Sequence, residues 1–88
     1  MKGSLDPDFK LRLKQLMVTE ADKAVAPETI ADDAPLFGPD SGLALDSIDG
    51  LQISMAIHLK FGVRLEDPKQ VRRVMANVNT LADFLQPE

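Results

Sequence analysis

The chain contains no cysteine, which excludes disulfide staples, thiolate metal sites and a cysteine nucleophile. It also lacks tryptophan and tyrosine and has four phenylalanines, so aliphatic side chains and methionine must fill most of any core. No run approaches the roughly 20 consecutive apolar residues needed to span a bilayer. The opening Met1-Lys2-Gly3-Ser4-Leu5-Asp6-Pro7-Asp8 has no apolar stretch of the signal-peptide kind. A soluble, cytoplasmic protein is the expectation. No basic stripe long enough to displace nucleic-acid counterions is present, so nucleic acid is not an expected partner. The single histidine, His58, and scattered carboxylates give no metal-ligand pattern.

What remains is a chain of 88 residues, 44% hydrophobic. It reads as a single domain over residues 1–88, expected to be a monomer. A chain this short buries only about 60% of its unfolded surface, so one small core must stabilise it all. The net charge of −4 is unevenly spread. Between residues 20 and 50 stand Glu20, Asp22, Glu28, Asp32, Asp33, Asp40, Asp46 and Asp49 against Lys23 alone, while both flanks are slightly basic. Such an acidic centre suits a basic protein partner through complementary steering. The plainer reading is that these acids keep the surface soluble.

Apolar periodicity places the elements. Leu5, Phe9, Leu13, Leu16 and Met17 share one face of a helix expected from Leu5 to about Ala24. Asp6, Pro7 and Asp8 favour its start. Pro27 ends any continuation, and Pro27-Glu28-Thr29-Ile30 allows a short turn. Residues 31–45 hold too many Pro, Gly and Asp for a regular element. Leu36, Phe37, Leu43 and Leu45 are nevertheless too apolar for a solvated linker, so an ordered crossover is expected. A second helix should run from about Asp46 to Phe61, with Asp46-x-x-Asp49 resembling a capping box and Gly62 stopping it. A short third helix begins near Pro68 and includes Val71, Val74 and Met75. Asn77 or Asn79 caps a last helix containing Leu81, Phe84 and Leu85. No strand alternation of useful length occurs. The fold class is all-α: a small bundle of three main helices plus a short one, with a long ordered loop before the second.

The second helix carries two apolar stripes. Wound at about 100° per residue from Ile48 as zero, Leu51, Met55 and Leu59 fall near 300°, 340° and 20°. Ile53, Ile57 and Phe61 fall near 140°, 180° and 220°, roughly opposite. A central helix could bury both; otherwise one stripe packs inside and the other meets a partner or a cargo chain. Periodicity does not choose between them.

Leu45-Asp46-Ser47-Ile48-Asp49 resembles the attachment motif of acyl carrier proteins, usually Asp-Ser-Leu-Asp with a Leu before it or nearby. The crossover Asp32-Asp33-Ala34-Pro35-Leu36-Phe37 with Gly42-Leu43, the stretches Met55-Ala56-Ile57 and Phe61-Gly62-Val63, and the terminal Leu13-Lys14-Gln15-Leu16 and Leu81-Ala82-Asp83-Phe84-Leu85 extend the likeness over nearly the whole chain. The resemblance implies a carrier, not an enzyme. Its 4'-phosphopantetheine arm is transferred from coenzyme A to Ser47 by a phosphopantetheinyl transferase, and acyl cargo rides on the arm's thiol as a thioester. It further implies that Ile53, Ile57 and Phe61 face the core, while Ile48, Leu51 and Met55 face partner enzymes. Asp46 and Asp49 belong to an acidic rim read by basic docking patches of acyl-transfer and condensing enzymes of fatty-acid or polyketide type. Alone, Ser47 reads only as a helix cap.

The sequence departs from the family where glutamates are usual, with Gln52, His58, Leu59 and Lys60 in their place, and Arg64, Lys69, Arg72 and Arg73 follow. These departures suggest a specialised carrier with its own enzyme set. An aminoacyl or peptidyl carrier shares the same features, and an unmodified helical interaction module is the alternative from another class. Geometry argues against a hydrolase built on Ser47, His58 and an Asp: along one helix the serine and histidine stand about 16 Å apart.

Overall fold

The computed structural model describes residues 1–65 and 67–87. Among the described residues there are four helices: α1 (Pro7–Glu20), α2 (Ser47–Phe61), α3 (Pro68–Val74) and α4 (Val78–Leu85). Two 3₁₀ turns, Gly3–Leu5 and Pro27–Thr29, precede and follow α1. This is the expected all-α bundle, with α3 and α4 both short at seven and eight residues. Among the described residues there is no strand, only a lone parallel bridge between Phe37 and Leu45.

Every one of these helices begins on a short polar side chain that accepts a backbone N–H of the first turn. Asp6 takes Phe9, Asp46 takes Asp49, Asp67 takes Gln70, and Asn77 takes Thr80, at 2.8–3.2 Å. Such caps satisfy donors that the helix itself leaves unpaired. Pro7 and Pro68 occupy first-turn positions, where their missing N–H costs nothing. Asn77, not Asn79, is the cap of α4; the Asn79 N–H instead bonds the Asp32 carbonyl at 3.0 Å.

The first helix is shorter than the expected Leu5–Ala24. Because Asp6 is the cap, Leu5 falls outside α1 and is exposed. At the other end Asp22 adopts a left-handed φ of 53°, and the Lys23 N–H returns to the Val18 carbonyl at 3.1 Å. That reversal stops the helix before Pro27 is reached.

The core joins Leu13 and Met17 of α1 to Ile53 and Ile57 of α2, Met75 beyond α3, and Val78 and Leu81 of α4. The crossover between α1 and α2 enters it through Leu36, Leu43 and Leu45, all buried. It is fixed by Leu45 N–H to Leu36 O at 3.0 Å and Leu36 N–H to Ala76 O at 3.2 Å. Ser41 Oγ lies 3.0 and 2.9 Å from the Leu36 and Gly38 carbonyls and accepts the Ala44 N–H at 2.8 Å.

Asp32 ties the start of that crossover to α1. Its two carboxylate oxygens each meet a lysine at 2.7 Å, Oδ2 with Lys10 and Oδ1 with Lys14. These hydrogen bonds, Lys10's foremost, hold the Asp32 carboxyl below its ordinary value despite some desolvation. The two chain ends are also pinned together. Gly3 N–H bonds the Gln86 carbonyl at 2.7 Å and Ser4 N–H bonds Asp83 at 2.9 Å. A Cβ at residue 3 would collide with the Ala82 carbonyl, so glycine is what allows this close approach.

Candidate functional site

Ser47 is the first residue of α2, and the chain delivers it there in a constrained way. Leu45, two residues before, is buried in the core. Asp46 then closes a complete capping box: its side chain accepts the Asp49 N–H at 2.9 Å, and Asp49 Oδ2 accepts the Asp46 N–H at 3.2 Å. The Asp-for-Glu box expected from the sequence therefore forms. Between these anchors the Ser47 side chain is exposed.

The crossover and α3 close in beside it. The Phe37 ring lies against Gly50, where an added Cβ would sit 3.1 and 3.2 Å from two ring carbons and 3.3 Å from Val71 Cγ1. Glycine at this position lets a loop and a helix approach α2 together. On the outer side of the ring, the Arg72 guanidinium stands 5.5 Å from the Phe37 centroid, within the range of a cation–π contact. The same guanidinium reaches 3.4 Å from Ser47 Oγ.

Between α2, α3 and the crossover is a partly open cavity of about 330 Å³, lined by Phe37, Ile48, Leu51, Leu65 and Val71 with Ser47 and Arg72. Its lining also includes Ser54, which is buried, but that hydroxyl donates to the Leu51 carbonyl at 2.7 Å. The bond stays within the helix and leaves the cavity apolar in character. An exposed hydroxyl beside an apolar recess and an arginine suits an anionic linkage at Oγ followed by a less polar chain.

The two stripes of α2 separate. Ile53 and Ile57 are 0% exposed, whereas Ile48, Leu51, Met55 and Leu59 are 67, 58, 59 and 84% exposed. Phe61 departs from its expected core position: it is 39% exposed and packs edge-on to Phe9, with centroids 5.8 Å apart. It closes the rim of the core instead of filling it.

Asp46 is exposed next to Ser47. Asp49 is half-buried, and its Oδ2 pairs with Lys23 at 3.3 Å. The two acids thus differ, with part of the Asp49 charge answered by a lysine in the turn that follows α1. His58 is exposed near the far end of α2. Arg72 and Phe37 were not among the expected site residues. The sequence marks Phe37 as a loop residue bound for the core and Arg72 as part of a basic run, but nothing in their spacing points at Ser47.

No protein-family model and no curated protein sequence matches the chain. Among the described residues no helix is long and apolar enough to cross a membrane.

Proposed function

We propose that the protein is an acyl carrier whose attachment residue is Ser47. The observation that supports this most is the placement of one exposed hydroxyl. It stands at the capped start of α2, beside an apolar cavity, on the helix that also exposes Ile48, Leu51 and Met55. The likeness of Leu45-Asp46-Ser47-Ile48-Asp49 to the family's motif supplies the chemistry.

In this reading Ser47 Oγ attacks the phosphorus of coenzyme A that bears pantetheine, on a phosphopantetheinyl transferase. A new O–P bond forms, the pyrophosphate P–O bond breaks, and adenosine bisphosphate leaves while the hydroxyl proton passes to a base of the transferase. Once attached, the arm supplies the thiol that this cysteine-free chain lacks, and with it thioester carriage of acyl groups. The chain's own part is to present and orient. The capping box fixes the turn that bears Ser47. Asp46 and Asp49 offer charge to basic docking patches, and Ile48, Leu51 and Met55 offer apolar area to acyl-transfer and condensing enzymes. The expected enzyme set is of fatty-acid or polyketide type, and a specialised one, because Leu59 and Lys60 interrupt the acidic surface. Loading assays with acyl against aminoacyl donors separate this carrier from an aminoacyl or peptidyl one.

The test is incubation with coenzyme A and a promiscuous phosphopantetheinyl transferase, followed by intact mass. The wild type is expected to gain one phosphopantetheine and Ser47→Ala none. An unmodified wild type leaves the exposed stripe as a docking face of a plain helical interaction module and ends the carrier reading.

A further inference from the structure

We infer that Arg72 is a resident counterion for a phosphodiester on Ser47, holding the root of the arm on the α3 side of α2, over Phe37. This rests on the carrier reading and adds to it a residue of this chain that positions the arm.

Four observations carry the inference. First, a negative charge added at Ser47 would stand between Asp46 and Asp49, which repel it. Lys23 already serves Asp49 at 3.3 Å, which leaves Arg72 as the cation placed to offset the new charge. Second, Arg72 Nη2 is 3.4 Å from Ser47 Oγ, long for a bond to a neutral hydroxyl. The free oxygens of a phosphodiester lie on phosphorus, two bonds beyond Oγ, and rotation about the Cβ–Oγ and Oγ–P bonds can bring one of them to the guanidinium. Third, a contact within the chain itself orients the guanidinium. It stacks 5.5 Å from the Phe37 centroid, and Phe37 is seated on Gly50. That contact removes part of the side-chain freedom that an exposed arginine would otherwise lose on binding. Fourth, among the described residues no acid forms an ion pair with Arg72. Asp67 lines the same cavity, but its Oδ1 accepts the Gln70 N–H at 2.8 Å. An arginine suits the role better than a lysine, because its planar fork can meet two phosphate oxygens while stacking on an aromatic face.

The experiment compares apo and holo forms of the full chain as wild type, Arg72→Gln, Arg72→Lys and Arg73→Gln. Each holo form is made with coenzyme A and the transferase and verified by mass before anything else is measured. At low ionic strength the arm is expected to raise the wild-type thermal midpoint by about 2–5 °C, the scale of one partly exposed ion pair in a domain of this size. Salt at about 1 M should remove most of that rise. Arg72→Gln should lose most of it, Arg72→Lys should keep part, and Arg73→Gln should keep it in full. The ³¹P resonance of the arm should move in Arg72→Gln and not in Arg73→Gln. Equal midpoint rises and an unmoved ³¹P resonance in Arg72→Gln overturn the inference while leaving the carrier intact. Absence of added mass on the wild type overturns the carrier reading first. If Arg72→Gln does not fold, the wild-type ³¹P signal decides, since a resonance insensitive to salt contradicts the ion pair.

Discussion

The two faces of α2 are built from the same kinds of side chain and meet opposite fates. Ile53 and Ile57 are sealed against the bundle, while Ile48, Leu51, Met55 and Leu59 stand in solvent. Residue hydrophobicity does not distinguish them; the supply of neighbours does. α1, α3 and the crossover pack against α2, and among the described residues they leave Ile48, Leu51, Met55 and Leu59 largely uncovered, with Ile48 and Leu51 at the edge of the cavity beside Ser47. Full burial of each such side chain is worth about 1.5–3 kcal/mol, a gain the outer face forgoes in the isolated chain. This contiguous uncovered apolar face is what the proposed docking role rests on, and Ser47 opens the helix that carries it.

The sharpest way to break this contrast is to shorten one residue on each face. Ile57→Ala, or Ile53→Ala, should cost about 3–4 kcal/mol through lost burial and a residual cavity. Leu59→Ala should change stability by no more than about 0.5 kcal/mol. Urea midpoints measure both, and similar losses on the two faces would end the distinction.

Next in size is the Asp32 tie, which holds the crossover so that Phe37 and Ser47 keep their places. Asp32→Asn should cost about 1 kcal/mol, a modest figure because the carboxylate is partly exposed. It should also change the response to acid. The folded-state value of Asp32 lies below its unfolded value of about 3.9. The unfolded chain therefore binds the proton more readily, and stability falls as the pH drops. The contribution is complete above the unfolded value and is lost as pH falls through the folded one. Asp6, lowered by the Phe9 N–H and Gln86, and Asp83, lowered by Ser4, act in the same sense. Thermal midpoints between about pH 5 and pH 2.5 should show a shallower acid slope in Asp32→Asn than in the wild type; an unchanged slope would remove Asp32 from the account.

A smaller gain is expected at Ala44, whose φ of 49° lies in the left-handed region three residues before Ser47. Ala44→Gly should relieve that strain and stabilise the chain by about 0.5–1 kcal/mol in chemical denaturation. A loss instead would mean that the extra freedom of the unfolded glycine outweighs the strain.

Much of this architecture was legible in the residues. The Asp46-x-x-Asp49 box, the Gly62 stop and the inward turn of Leu36, Leu43 and Leu45 follow from local chemistry and apolar spacing. The two stripes of α2 were visible as well, though only packing decides which is buried. What spacing could not show are contacts made across the chain. Lys10 meets Asp32 over 22 positions, Arg72 meets Ser47 over 25, and Ser4 meets Asp83 over 79. Such pairs leave no period in the sequence and depend on how the loop and α3 close on Gly50. Phe61 illustrates the converse: it shares the stripe of Ile53 and Ile57, which the family resemblance put inside, but at the end of α2 the core has already run out and the ring stays partly exposed.

If Ser47 is a covalent attachment point, mass spectrometry of the native protein will show it. Protein purified from its natural source and digested should yield a peptide containing Ser47 that is heavier by one phosphopantetheine, with or without cargo. A Ser47 peptide found only at its unmodified mass, from a source whose transferase is active on other carriers, would contradict the account.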